Sequence, residues 1–351
     1  MELPQYMFHL LKKEGFLAYI IVMPSVYPPG NERIYVVDAL RGFAVMAIML
    51  LHFLEHFIYN SYPVASSPMM EAANQQFKEV FFFLFAGKSY TIFALLFGFT
   101  FAVQYRNQAR KGRDFAGRFV WRMCLLAVFA CMNAAFFPGG DVLLTFSLAG
   151  LLLVPCRRLK TSSLVALSLF FLAQPLEWAY AAVQWMHPGW VPPSLSVAES
   201  YASLKSAVDT GNFWVMAWEN LTTGQWASLA WGIEAGRLMQ APGLFLLGFV
   251  LLYRLEYFRK ATAPLLTYGR MSLTNYVSQS VIGSLIFFPY ALGLAPYCGY
   301  LASFAVGFAA MTGQIWFCRW WLERHRYGVL EGLWHRATWL AAGKVSAPEH
   351  R

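Results

Sequence analysis

The chain has 351 residues, of which 58% are Ala, Val, Ile, Leu, Met, Phe, Trp, Tyr or Cys, 18% are aromatic and only 13% are charged, about half the charged share of a typical soluble chain. With a mean hydropathy of +0.46 and long apolar runs, this composition excludes disorder, collagen, coiled coil and a small disulfide-stapled domain. The net charge of +9 would suit a nucleic-acid partner, but the placement of the basic residues argues otherwise.

In chain order, FLAYIIVMP at residues 16–24 follows Lys12 and Lys13 and precedes the turn-forming YPPGN. Residues 1–33 therefore read as an N-terminal segment carrying an interfacial helix. A bilayer core takes roughly 20 apolar residues per helix, and eight windows qualify: 36–58, 78–104, 119–137, 141–156, 163–185, 226–253, 264–290 and 296–321. The predicted fold class is all-α, a polytopic integral membrane helical bundle of about eight transmembrane helices forming one domain over 34–340, with 341–351 as a tail. The FFPGGD turn joins the third and fourth windows, with Asp141 as N-cap of the next helix. The loop 186–225, amphipathic from Ser196 to Thr210, is the one sizeable external element and reads as a lid.

Lys and Arg collect on the cytoplasmic side of membrane proteins. Arg106, Arg110, Lys111, Arg113, Arg118 and Arg122 join windows two and three, and the loops after windows four and six are also basic. With both ends of the chain added, 23 of the 27 basic residues fall on one side. Both termini are therefore expected in the cytoplasm, with anionic lipid rather than nucleic acid as the partner of the charge.

Charges at bilayer depth cost about 2.5–3.5 kcal/mol or more, so each needs a partner or a task. Asp38 and Arg41 stand three apart, either as a local ion pair or with Arg41 holding a ligand phosphate. His52, about 16 Å further along a helix, suits a general base or a hydrogen bond to another helix. His52, Glu55 and His56 also satisfy H-x-x-E-H, the pattern of inverted zinc peptidases, but no third ligand is evident and no metal is expected. Lys88, buried in an aromatic run, either snorkels outward or pairs with Glu55. Glu234 and Arg237 precede Pro242 on a kinked helix. Ser272, Asn275 and Gln279 share one face, as interhelical glue or as a tunnel lining. Cys124, Cys131, Cys156, Cys298 and Cys318 have no redox or zinc spacing and read as buried thiols.

Five segments, RIYVVDALRGFAVMAIMLLHF, GKSYTIFALLFGF, GDVLLTFSLAGLLL, GRMSLTNYVSQSVIG and RYGVLEGLW, resemble in that order the blocks of the YeiB-like family, domain of unknown function 418, from Arg33 to Trp339. That family is grouped with the membrane acyltransferase-three proteins and the glucosaminide N-acetyltransferases, so the resemblance implies an acyl-transfer scaffold. The acyltransferase-three proteins pair an LRG arginine with a histidine eleven residues on, which here are Arg41 and His52. The chain departs from the YeiB-like pattern at His52, where Asn is common, at Asn133, where His is common, and at Ala86, where a Glu precedes the Gly–Lys pair.

The expected function is transfer of an acyl group from a cytoplasmic acyl-CoA donor to a hydroxyl or amine of an envelope glycan or lipid in a bacterial inner membrane, with no tightly bound cofactor. His52 would be the base, oriented by Glu55 or Asn133, with Lys88 or Arg270 facing developing negative charge. Asp38, Arg41, Arg106, Arg113 and Arg270 would bind the donor, and Glu234, Arg237, Asn275 and Gln279 would line the substrate tunnel. A transporter or flippase, a non-catalytic membrane partner and self-association are the other readings this composition allows.

Overall fold

The computed structural model describes residues 35–137, 142–191, 194–250 and 265–339. The expected N-terminal interfacial helix, the Asp141 cap and the tail 341–351 lie outside the described residues. Each of the eight windows is mostly helical where described, with short breaks inside several of them, and no strand occurs among the described residues.

Helix α1 (Tyr35–Leu54) is 20 residues long, about 30 Å at 1.5 Å per residue. It is followed by α2 (Pro68–Phe85), α3 (Lys88–Ala109), α4 (Ala116–Ala134) and the short α5 (Leu143–Leu151). Next come α6 (Thr161–Leu172) and α7 (Pro175–Met186), then α8 (Val197–Asp209), α9 (Phe213–Glu219), α10 (Gln225–Glu234) and α11 (Arg237–Val250). The last described helices are α12 (Leu265–Arg270), α13 (Ser272–Phe287), α14 (Tyr300–Arg324) and α15 (Val329–Trp339).

Four stretches are long and apolar enough to cross a membrane, Val37–Leu54, Pro68–Ala109, Ala116–Ala134 and Tyr300–Arg324, with α6 and α7 a fifth if their 45° bend is one broken span. The protein is thus a helical membrane protein, with four or five such stretches among the described residues beside the eight windows read from the sequence. The difference has local causes. Gln174 at φ +55° with Pro175 separates α6 from α7, and Gly236 at φ +66° separates α10 from α11, whereas α2 and α3 count as one stretch across Gly87 at φ +74°. A hydropathy window averages across such breaks because it does not register backbone sign.

The bundle closes on backbone contacts. A Cβ on Gly98 of α3 would lie 1.9 Å from the Phe245 carbonyl of α11, and one on Gly248 of α11 would lie 2.0 Å from the Leu95 carbonyl of α3. The two helices therefore touch through reciprocal glycines, as small residues permit in membranes. Gly269 of α12 likewise presses on the Asp38 carbonyl of α1, where a Cβ would meet the oxygen at 1.6 Å. That contact gives the glycine of GRMSLTNY a physical reason and fixes Arg270 beside the start of α1. Around these crossings Phe101, Phe146, Phe245 and Tyr276 are buried and make tilted and edge-on ring contacts.

Candidate functional site

Two cavities lie at opposite ends of the bundle. The first, about 550 Å³, takes its walls from the end of α1, the α2–α3 break, Phe137 after α4, and α8. The second, about 670 Å³, takes its walls from Arg41 near the start of α1, Gln104 late in α3, Arg122 early in α4, the α12–α13 junction and the residues after α14. Four arginines, Arg41, Arg122, Arg270 and Arg326, line the second cavity, whereas Lys205 and Arg237 are the basic residues of the first. Tyr276 of α13, 1% exposed, lines both cavities. Both volumes are those of small-molecule sites.

His52 and Glu55 both face the first cavity. The His52 ring is held between Phe137, at 4.7 Å between centroids, and Phe57, at 5.8 Å, with Tyr276 edge-on at 6.4 Å. Gln279 Nε2 lies 3.5 Å from His52 Nδ1, the outer edge of hydrogen-bonding distance. Directly after Glu55 the backbone turns left-handed at three non-glycine residues, His56 (φ 48°), Phe57 (φ 55°) and Ile58 (φ 67°). Each such residue costs on the order of 1–3 kcal/mol and persists only where its surroundings force it. Phe57 is forced by burial against Phe53, Phe137 and the bare backbone of Gly283.

The same turn takes His56 away from the face His52 occupies. Both His56 nitrogens are engaged, Nδ1 with the Ser61 carbonyl at 3.0 Å and Nε2 with Ser303 Oγ at 2.5 Å. The H-x-x-E-H spacing therefore does not bring its two histidines together.

Helix α8 covers the first cavity with Tyr201, Leu204, Lys205 and Val208. It is latched where the Tyr59 hydroxyl donates to Asp209 at 2.6 Å, and Lys205 bridges Asp209 at 3.2 Å and stands over the Tyr59 ring at 5.2 Å. Burial, reinforced by the Asp209 hydrogen bond, raises the Tyr59 phenol above its usual range. Burial and then the Glu55 carboxylate push Tyr201 up to about 12. Both phenols stay neutral donors at physiological pH. Helix α8, within the 186–225 segment, thus forms one wall of the cavity.

Not every residue chosen from the sequence reaches a cavity. Lys88 is exposed, donates to the Phe83 carbonyl and sits over the Phe83 ring, so it snorkels and does not pair with Glu55. The cation that acts on Glu55 is Lys78, itself bonded to the Tyr300 hydroxyl at 3.1 Å, a residue the sequence reading passed over. Glu234 is exposed and lines neither cavity, whereas Arg237 lines the first and lies over the Tyr90 ring at 4.6 Å. Asn275 bonds the Tyr268 carbonyl at 2.9 Å and meets Cys318 Sγ at 3.3 Å, which makes it interhelical glue. Asn133 is fully buried one turn before Phe137, and its amide has no protein partner; it lies behind the cavity wall.

At the basic end, Arg41 forms the local ion pair and also stands at a cavity. It pairs with Asp38 at 3.0 Å and donates to Thr100 Oγ1 at 2.9 Å, yet it also lines the cavity beside Arg270. Arg106 and Arg113 do not line it; Arg122 and Arg326 do. Among the described residues, no three His, Cys, Asp or Glu side chains come close enough to hold a metal.

Residues 33–204 match the heparan-alpha-glucosaminide N-acetyltransferase catalytic family, and residues 202–341 match the family described as a protein of unknown function, DUF418. Two Bacillus relatives align along nearly their whole length. The "uncharacterized protein YxaH" of Bacillus subtilis is 26% identical over 91% of this chain and 98% of its own. The "uncharacterized 39.9 kDa protein in amylase 3'region" of Bacillus acidopullulyticus is 24% identical over 88% of this chain and 94% of its own. No solved structure matches.

Proposed function

Because the chain belongs to the DUF418, YeiB-like family related to glucosaminide N-acetyltransferase, we propose that it is a membrane acyltransferase that uses an acyl-CoA on its basic side and an envelope glycan or lipid on the other. The observation that carries this reading is the pair of cavities at opposite ends that share Tyr276 as a wall. One cavity is lined by Arg41, Arg122, Arg270 and Arg326 and suits a polyanion. The other holds an imidazole and a carboxylate among aromatic walls and suits a neutral hydroxyl or amine.

A thioester donor supplies an activated carbonyl and a thiolate leaving group. The arginines hold its phosphates and so aim its acyl arm along the bundle toward Tyr276. His52, confined by Phe57 and Phe137, takes the proton of the acceptor hydroxyl or amine as that atom attacks. A new ester or amide bond forms, the carbon–sulfur bond breaks, and the thiolate leaves with the electron pair. Gln279 orients the imidazole, and Glu55, one turn on, shares the chamber and orders the acceptor. The α8 lid limits the entry of water, which would otherwise compete for the acyl group. Bacterial relatives and the basic loops favour an inner membrane with this end in the cytoplasm.

The test is binding and turnover of radiolabelled acetyl-CoA by detergent-purified protein, wild type beside His52→Ala and Arg41→Ala. We expect His52→Ala to bind donor but lose about 10²–10⁴-fold in acyl release, and Arg41→Ala to lose both binding and release. Unchanged turnover in His52→Ala, or no binding of any acyl-CoA by the wild type, would overturn the proposal.

A further inference from the structure

The C-terminal helix α15 and the turn before it form one wall of the basic-end cavity, contributing Arg326, Tyr327, Glu331, Trp334 and His335. This wall is pinned at both ends. Glu331 accepts from the Leu273 and Thr274 amides at 2.7 and 3.1 Å and from the Thr274 hydroxyl at 2.5 Å, so it caps α13, and Leu330 N donates back to Thr274 Oγ1 at 3.0 Å. At the other end Arg118 and Trp121 of α4 donate to the Thr338 and Ala337 carbonyls, both at 2.9 Å. The carboxylate of this wall is thereby engaged in capping, with both oxygens accepting from α13.

What remains is an alternation of flat rings and guanidinium groups. Tyr327 and His335 stack at 4.7 Å and 20°. Arg122 lies over the Trp334 ring at 4.3 Å, and Arg326 over Tyr327 at 5.6 Å. Tyr327 and His335 are exposed at the cavity mouth, so a further ring can extend their stack. Burial, with Arg122 and Arg326 close by, lowers the basicity of His335, which leaves a neutral imidazole to stack at physiological pH. A phosphate-binding site alone needs arginines only; rings interleaved with arginines suit a base joined to phosphates.

We propose that residues 326–335 form a nucleotide subsite, in which Tyr327 and His335 stack on the base and Arg122 and Arg326 hold the adjoining phosphates. This deepens the acyl-transfer reading by assigning the nucleotide end of the donor to the C-terminal wall, and depends on that reading only for what the nucleotide is attached to.

Calorimetric binding of CoA, ADP and 4'-phosphopantetheine to the detergent-purified full chain tests it. His335→Ala and Tyr327→Ala should each weaken CoA and ADP on the order of tenfold, the scale of one lost stacking contact, and leave phosphopantetheine unchanged. Tyr327→Phe, which keeps the ring, should bind as wild type does and rule out misfolding as the cause. Equal weakening of all three ligands, or none, overturns the subsite while acyl transfer by the wild type would still stand. Nucleotide binding that behaves as expected in a protein that transfers no acyl group would uphold the subsite and overturn the enzyme reading. Failure of the wild type to bind either CoA or ADP overturns both.

Discussion

The two cavities are walled by opposite means. At the basic end, ordinary geometry suffices: Arg41 on Asp38, Glu331 on the start of α13, and Arg118 on the end of α15 are short pairs and caps at helix termini. At the other end the wall beside His52 is three consecutive left-handed residues, closed over by a helix that a tyrosine and an aspartate latch. The basic end is held by pairs and caps, whereas the His52 end stores backbone strain and is covered by a helix latched through Tyr59 and Asp209. Such an allocation fits a site that holds one ligand by charge and admits another past a moving element.

The largest expected effect comes from the strained end. Replacing His52 by Ala should lower acyl release by about 10²–10⁴-fold, the range for losing a general base, without weakening donor binding; a joint loss of both would dissolve the division of labour between the cavities. At the basic end, Glu331→Ala leaves the Leu273 and Thr274 donors without their partner. It should cost about 1–3 kcal/mol, read as a lowered thermal midpoint in detergent, with the His52 chamber unchanged when the variant is folded. Tyr59→Phe removes only the latch to Asp209, worth about 0.5–1.5 kcal/mol. Faster amide exchange confined to 197–209 is expected, and uniform faster exchange would mean that α8 is not separable.

The smallest effect concerns pH. Burial, Arg122 and Arg326 depress the folded-state basicity of His335, so the unfolded chain takes up this proton first as pH falls. Its contribution to stability is present above the ordinary histidine value and declines as pH drops below it. Thermal midpoints measured from about pH 7.5 to about pH 5.5 should fall less steeply in His335→Gln than in the wild type.

Much of this was legible in the sequence, for identifiable reasons. Charge at bilayer depth is conspicuous, which is why Arg41, His52, Glu55, Arg237 and Arg270 stood out and do line cavities. Arg122 was read as one more loop charge because hydropathy does not distinguish an arginine facing solvent from one tucked over Trp334. Lys88 and Lys78 exchanged roles because a ten-residue separation in a helix that breaks at Gly87 carries no reliable facing information. The left-handed turn at 56–58 has little local signal: Phe and Ile are poor choices for positive φ, and burial of Phe57 against Gly283, distant in sequence, enforces it. The tyrosine shared by the cavities was hidden for a similar reason, since Tyr276 lies between two residues singled out for their polarity, Asn275 and Gln279, and its importance is a matter of place.

The central claim is that an acyl group enters at the basic end and leaves at the His52 end. The most direct measurement is thioester consumption in sealed vesicles holding the protein in one orientation, with radiolabelled acetyl-CoA supplied on one side at a time. Consumption only from the side that exposes the arginine-lined cavity, with label recovered on the opposite side and abolished in His52→Ala, is the expected result. Equal consumption from either side, or label that never leaves the side of supply, would contradict it.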